Sequence, residues 1–292
     1  MPLSFPTSRR GIAGVTIVLL WLVGMGALAM RELRTPRRAR LAEAGLRVVP
    51  GDLWFVVLRD GHRVGYYSSR TDTSTTSVVL HDVAQFEATG EGAPRTEITS
   101  AARLSRALAF QRLELSVRAG GNDLALEAEV EGDSALAVRL STEGETTAPQ
   151  RIPTPGRPVP PTLVPLLVAL PQDPAVGLRV PVRLFDPLSM SVRPTVFRVD
   201  AESLFVVSDS AQRSPAGAWV SAHRDTVRAW HVQAEDGGAL FAGWVDAQGR
   251  LVAGRLSNGL EVMRTSFEEA YLTDREAIAA RGPESPVEGR RR

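Results

Sequence analysis

The sequence predicts a mainly β protein: a large twisted antiparallel sheet (a half-barrel-like meander) behind an N-terminal transmembrane helix, with a short apolar plug helix and a C-terminal helix. Three observations carry that prediction. Gly11 to Met30 (GIAGVTIVLLWLVGMGALAM) holds no charge between Arg9-Arg10 and the arginine-rich run Arg31 to Arg40. At about 1.5 Å per residue it makes a helix of roughly 30 Å, the depth of a bilayer's hydrocarbon core. After Pro50 the apolar spacing changes from about 3.6 residues to about 2, the periods of a helix and of a strand, with turn residues at regular intervals. In Leu163-Val164-Pro165-Leu166-Leu167-Val168-Ala169-Leu170 the alternation stops, and a helix apolar on every side must be covered.

The chain divides into residues 1–30, an N-terminal tail and anchor; 31–50, a basic juxtamembrane linker; 51–272, the antiparallel β domain; and 273–292, the end of a helix and a disordered tail. Ala27-Leu28-Ala29 has the small-x-small pattern of a signal-peptidase site, but the apolar run exceeds the roughly 7–15 residues of a signal core, so the anchor is expected to stay. Ser8-Arg9-Arg10 has the look of a twin-arginine signal, although so apolar a core suits general secretion better. Five arginines follow the span closely (Arg31, Arg34, Arg37, Arg38, Arg40) and two precede it, a count that would keep the bulk of the chain in the cytoplasm. The short N-terminal tail has instead the form of a signal anchor, which places the β domain outside, on the cytoplasmic membrane of the cell envelope.

Asp52 to Arg59 is a strand, Asp60-Gly61 a tight turn, and Arg63 to Arg70 the returning partner. Ser77 to Ala88, Arg95 to Leu104, Ala107 to Arg118, Leu124 to Glu131 and Ala135 to Ser141 continue the series. In the fourth of these, Leu124, Leu126, Ala128 and Val130 face one way and Glu127, Glu129 and Glu131 the other, the mark of a sheet with one buried face. Pro149 to Pro174 interrupts it with nine prolines. Within that stretch Thr162 is the expected N-cap, Pro165 falls in the first turn where its missing N–H costs nothing, and Leu163, Val164, Leu166, Leu167 and Leu170 are the candidate plug in the concave face.

Strand patterning resumes over Leu178 to Phe185, Met190 to Val199, Leu204 to Asp209, Ala216 to Arg224, Thr226 to Gln233, Ala239 to Asp246, Arg250 to Leu256 and Leu260 to Arg264. Ser266-Phe267-Glu268-Glu269 is a capping box that opens a helix, Thr273-Asp274-Arg275-Glu276 is a second, and Gly282-Pro283 stops it.

Composition excludes several functions. A net charge of +1 leaves no protein-wide basic footprint for nucleic acid. With no cysteine there are no disulfides, thiolate metal sites or cysteine nucleophile; every basic side chain other than histidine is arginine, so no Schiff-base or P-loop lysine exists. Ser221, His223 and Asp225 contain a hydrolase's three residue types, but at alternate positions on one strand they lie about 7 Å apart, beyond the roughly 3 Å a nucleophile and base require. His62, His81 and His231 stand singly, without metal-ligand spacing. The glutamate stripe reads as a solvated face, and Trp54, Trp219, Trp230 and Trp244 as core or rim aromatics. No catalytic, cofactor or metal residues are expected.

Trp54…Asp60-Gly61-His62-Arg63-Val64-Gly65-Tyr66, then Leu184-Phe185-Asp186-Pro187, then Trp244-Val245-Asp246-Ala247-Gln248-Gly249-Arg250, Gly259, Met263-Arg264 and Phe267-Glu268-Glu269-Ala270 resemble, in order, segments of the non-catalytic β-region of exported bacterial transglutaminase-like proteins. The resemblance spans most of Asp52 to Leu272. The catalytic Cys-His-Asp domain of those proteins is missing. What the resemblance implies is an exported, sheet-rich module without its enzyme. The expected function is a membrane-anchored, non-enzymatic envelope protein, attached to the lipid bilayer through Gly11–Met30, whose β domain binds another protein. The alternative is a carrier with an apolar cavity for a lipid or lipoprotein ligand, and a hydrolase with an unrecognised site comes last. A filled concave face favours the first, and an open apolar cavity of several hundred Å³ the second.

Overall fold

The computed structural model describes residues 21, 25, 39–87, 95–132, 134–143, 145–237, 242–256 and 259–276. The expected membrane segment Gly11 to Met30 lies outside them except for Trp21 and Met25, both helical and exposed, and so does the tail after Glu276. Among the described residues no helix is long and apolar enough to cross a membrane.

Seven strands follow one another as antiparallel neighbours: β1 (Gly51–Arg59), β2 (His62–Thr73), β3 (Ser77–Glu87), β4 (Arg95–Ser105), β5 (Phe110–Ala119), β6 (Asn122–Glu131) and β7 (Ala135–Thr142). Two short strands, β8 (Glu145–Thr146) and β9 (Gln150–Pro153), both return to β7. A second series comprises β10 (Arg179–Asp186), β11 (Ser191–Arg213), β12 (Trp219–Ala234), β13 (Ala242–Asp246), β14 (Leu251–Arg255) and β15 (Leu260–Thr265). It joins the first where β15 pairs with β1, Trp54 opposite Thr265 and Arg59 opposite Leu260. All fifteen strands therefore belong to one antiparallel sheet.

The sheet is an open path from β10 at one end to β8 at the other. After β9 the chain crosses to β10, where Val159 makes a parallel bridge with Leu184; its N–H donates to the Arg183 carbonyl at 2.7 Å and its carbonyl accepts from Phe185 N–H at 2.9 Å. The same crossing leads into a 3-10 turn, Pro161–Leu163, and the helix α2 (Val164–Ala169). Leu163, Leu166 and Leu170 join a core with Val78, Leu104, Leu126 and Leu136 of β3 to β7 and with Phe185 of β10. Val164, Val168 and Ala169 join another with Phe197, Val199, Trp230 and Val245 of β11 to β13. The all-round apolar character of this segment thus matches a helix touched by both halves of the sheet. Thr162 is not its N-cap: Leu163 holds that position without a side-chain cap, and the Thr162 hydroxyl is buried without a hydrogen-bond partner. The preceding 3-10 turn, in which Leu163 N–H donates to the Pro160 carbonyl, and Pro165, which has no N–H, leave fewer donors to cap.

Residues that the sequence assigns to a linker extend this packing. Residues 39–46 form a helix, α1, and Ala44 and Val48 are buried in the core beneath α2. Arg47 Nη1 donates to the Leu170 carbonyl at 3.1 Å, so a cation closes the C-terminal end of the plug.

Two long strands replace four short ones. Asp200 to Ser203, polar enough to read as a turn, is a bulged stretch of β11 that stays paired with β12, Ala201 opposite His231 and Glu202 opposite Trp230. The resulting arm lies over the side of β14 opposite Leu251, burying Val207, Ala229 and Val252, with Phe205 and Trp244 rings 5.0 Å apart.

At the C-terminal end Ser266 Oγ accepts the Glu269 N–H at 3.2 Å, as a capping box requires, while the Glu269 carboxylate accepts from Thr265 Oγ1 at 2.6 Å. The turn that follows, Glu268–Leu272, is a π-helix rather than an α-helix. Arg63 donates to the carbonyls of Glu269 and Ala270 within this turn. Phe267 and Tyr271 stack there beside Trp54 and Tyr66.

Candidate functional site

Alternation puts one face of each strand inward, and beside the plug those faces do not meet. Leu53, Phe55 and Val57 of β1, Leu80 and Phe86 of β3, and Leu251 and Val262 of β14 and β15 enclose a cavity of ≈ 330 Å³. Pro161, Pro165 and Leu166 form its wall on the plug side, and Val48, Val49 and the Gln248-Gly249-Arg250 turn complete it. The lining is mostly apolar.

That turn is held closely against the plug. Asp246 Oδ1 accepts the N–H groups of Gln248 and Arg250, both at 2.9 Å, and Gly249 adopts φ +74°. A Cβ at Gly249 would stand 2.8 Å from Leu166 Cδ2 and 2.9 Å from Leu166 Cα, so only glycine permits this approach.

Across β2, β3 and β4 a polar row interrupts the apolar wall. Ser69, Asp82 and Ser100 are direct cross-strand neighbours, and all three line the cavity. Tyr67 Oη donates to Asp82 Oδ1 at 2.9 Å, Ser100 Oγ to Oδ2 at 3.3 Å, and the Ser69 hydroxyl also hydrogen-bonds the carboxylate. Asp82 is only 8% exposed. Burial pushes its carboxyl above the ordinary carboxylate range, with the three hydroxyls pulling the other way. The Tyr67 phenol is pushed well up by burial and by Asp82 beside it. Its ring packs on Phe55, centroids 5.0 Å apart. The row can hold a hydrogen-bonding group of a molecule whose apolar part fills the rest of the space.

The candidate plug residues pack mainly into the two cores rather than around this cavity. Leu163, Val164, Leu166 and Leu170 are buried and Leu167 partly so; of the five, Leu166 alone lines the cavity. Asp82 was not singled out in the sequence, although Val78, Leu80, Asp82, Ala84 and Phe86 share the inward parity of β3, and an acid in that series was the available signal.

The other constellations are dispersed. Ser221 Oγ accepts from Ser208 and donates to the His223 carbonyl, Asp225 accepts the Thr226 N–H, and no hydrogen bond joins Ser221, His223 and Asp225 side chains. His231 Nδ1 lies 2.7 Å from Asp200, and among the described residues no group of three or more potential ligands could hold a metal ion. Glu127 pairs with Arg112 and Arg139, and Glu131 with Arg151, which makes the stripe an ion-paired outer face. Trp230 is core, Trp54 and Trp244 are half-buried under the C-terminal turn and the β11–β12 arm, and Trp219 stacks with Arg213.

No protein-family model matches the chain, and no curated protein matches it. Among solved structures it is similar to a beta-barrel-like protein of the domain of unknown function DUF1849 from Brucella abortus, at 12% identity and a TM-score of 0.46, over 75% of this chain and 97% of that one.

Proposed function

We propose that the chain is a non-enzymatic carrier of the cell envelope that holds the apolar part of a lipid-like ligand in the cavity beside the plug. It is tethered by Gly11–Met30, with the β domain on the extracytoplasmic side. The observation that carries this reading is the ≈ 330 Å³ cavity with a mostly apolar wall, inside the roughly 300–1,000 Å³ range of small-molecule sites. The resemblance of Asp52 to Leu272 to the β-region of exported transglutaminase-like proteins supports the location. A second reading, an accessory module for a protein partner, is favoured by Leu204 and Val206, 68% and 67% exposed two residues apart on one face of β11.

The test is binding of the neutral apolar dye N-phenyl-1-naphthylamine to the full chain held in amphipol, comparing the wild type with Ala84→Trp. Ala84 lines the cavity, and an indole there fills it. Expected is saturable binding to the wild type, lost in the variant without loss of thermal stability, so that the amphipol background cancels. Equal dye signals from the two would overturn the carrier. A reporter enzyme fused after Gly282 tests the location, and activity confined to the cytoplasm would reverse it.

A further inference from the structure

The charged side chains lining the cavity are Asp82, Arg250 and Arg255. Both cations already have a carboxylate partner: Arg250 Nε donates to Asp246 Oδ2 at 2.9 Å, an oxygen that Arg264 shares at 3.5 Å, and Arg255 Nε donates to Glu261 Oε1 at 3.0 Å. Asp82 forms no ion pair among the described residues, and its hydrogen-bond partners are the neutral hydroxyls of Tyr67, Ser69 and Ser100. Hydroxyls hold a buried carboxylate in place without balancing its charge. With their protons directed at Asp82, they turn lone pairs toward the rest of the site. The row therefore presents acceptors, backed by one acid without an ion pair, in a mostly apolar wall.

We propose that the ligand of this cavity is a single-chain amphiphile with a protonated amine head, whose ammonium group pairs with Asp82 while its hydrocarbon chain lies between the plug and β1. The proposal rests on the carrier reading and adds the chemistry of the head group. An ammonium supplies donors for the free lone pairs and the missing positive charge together. A carboxylate head would bring a second anion and no donor, and an alcohol would supply a donor without the charge.

The experiment displaces N-phenyl-1-naphthylamine from the full chain with decylamine, decanol or decanoate, in the wild type and in Asp82→Asn. Expected is displacement by decylamine at concentrations at least tenfold lower than by decanoate, and loss of that advantage in D82N while the dye still binds. Decanoate as effective as decylamine, or a decylamine advantage that survives in D82N, overturns the amine head and leaves the carrier standing. Failure of the dye to bind the wild type removes the carrier and the amine together. Should D82N not fold, the wild type decides: decylamine displacement weakens as the pH is lowered and Asp82 gains its proton, while decanol displacement holds. Facing Asp82 from the elements packed against it are Tyr67 and Ser69 of β2 and Ser100 of β4, Arg250 and Arg255 are the other charged side chains that line the cavity, and His81, its neighbour on β3, lies on the opposite, exposed face. Equal pH dependence for the two probes overturns the proposal.

Discussion

Replacing Gly249 by alanine places a methyl group against the backbone of the plug, and two separable costs follow. The first is conformational: φ +74° is a left-handed geometry, which for an L-residue costs about 1–2 kcal/mol. The second is steric. The added carbon stands 2.8 Å from Leu166 Cδ2, 2.9 Å from Cα and 3.3 Å from N, and since two of these atoms are backbone, no rotamer change relieves the clash. Either the turn or the helix moves, an overpacking cost of about 1–3 kcal/mol. Gly61 isolates the first cost, because it has φ +77° and a Cβ there meets nothing within 4 Å. At roughly 2–4 °C per kcal/mol for a domain of this size, Gly249→Ala should melt a few to about 12 °C below Gly61→Ala. Differential scanning calorimetry of the two variants against the wild type measures it. Equal midpoints would mean that the plug yields freely to the turn, and the description of α2 as a fixed part of the core would fail.

Leu163 is 1% exposed and does not line the cavity, so Leu163→Asp buries a carboxylate without a partner; the cost of several kcal/mol, against a typical stability of about 5–15 kcal/mol, should leave the chain unfolded or aggregated by circular dichroism and light scattering. An unchanged midpoint would make the segment a lid. Arg63→Ala removes two donors from the Glu269 and Ala270 carbonyls, a loss of about 1–3 kcal/mol. Amide exchange over residues 268–276 should quicken while β3 to β6 stay protected, and uniform exchange would mean that Arg63 does not hold this turn. Burial raises the Asp82 carboxyl in the folded chain, so its contribution to stability is fully present below the unfolded value of about 3.9 and is lost as pH rises through the raised folded value. The melting temperature of Asp82→Asn relative to wild type should therefore rise as the pH is taken upward from about 4; a constant difference would argue that the carboxylate is compensated.

Much of the β domain is legible in the sequence because alternation and turn chemistry are local. Asp60-Gly61, with both residues at positive φ, joins β1 to β2 where expected, and Leu126 and Ala128 point inward between exposed glutamates. The need to cover Leu163 to Leu170 was legible for the same reason, since a helix apolar on every side states its own requirement. What the sequence left open concerns partners distant along the chain. Nothing local to Leu260–Thr265 says that it pairs with β1, and nothing in Asp200 to Ser203 distinguishes a turn from a bulge until β12 lies opposite. The helix expected after Ser266 runs as a π-turn over Glu268–Leu272 before residues 273–276 continue as α-helix, and Arg63, far earlier in the chain, donates to two of its carbonyls. Period and turn residues thus determined the apolar helix and the strands other than β8, β9 and the long pair β11 and β12. Only the tertiary structure decided the join of β15 to β1, the docking of residues 44–48 and the cavity. A cavity is space that side chains from several strands, a helix and a turn fail to fill, and no single segment encodes that space.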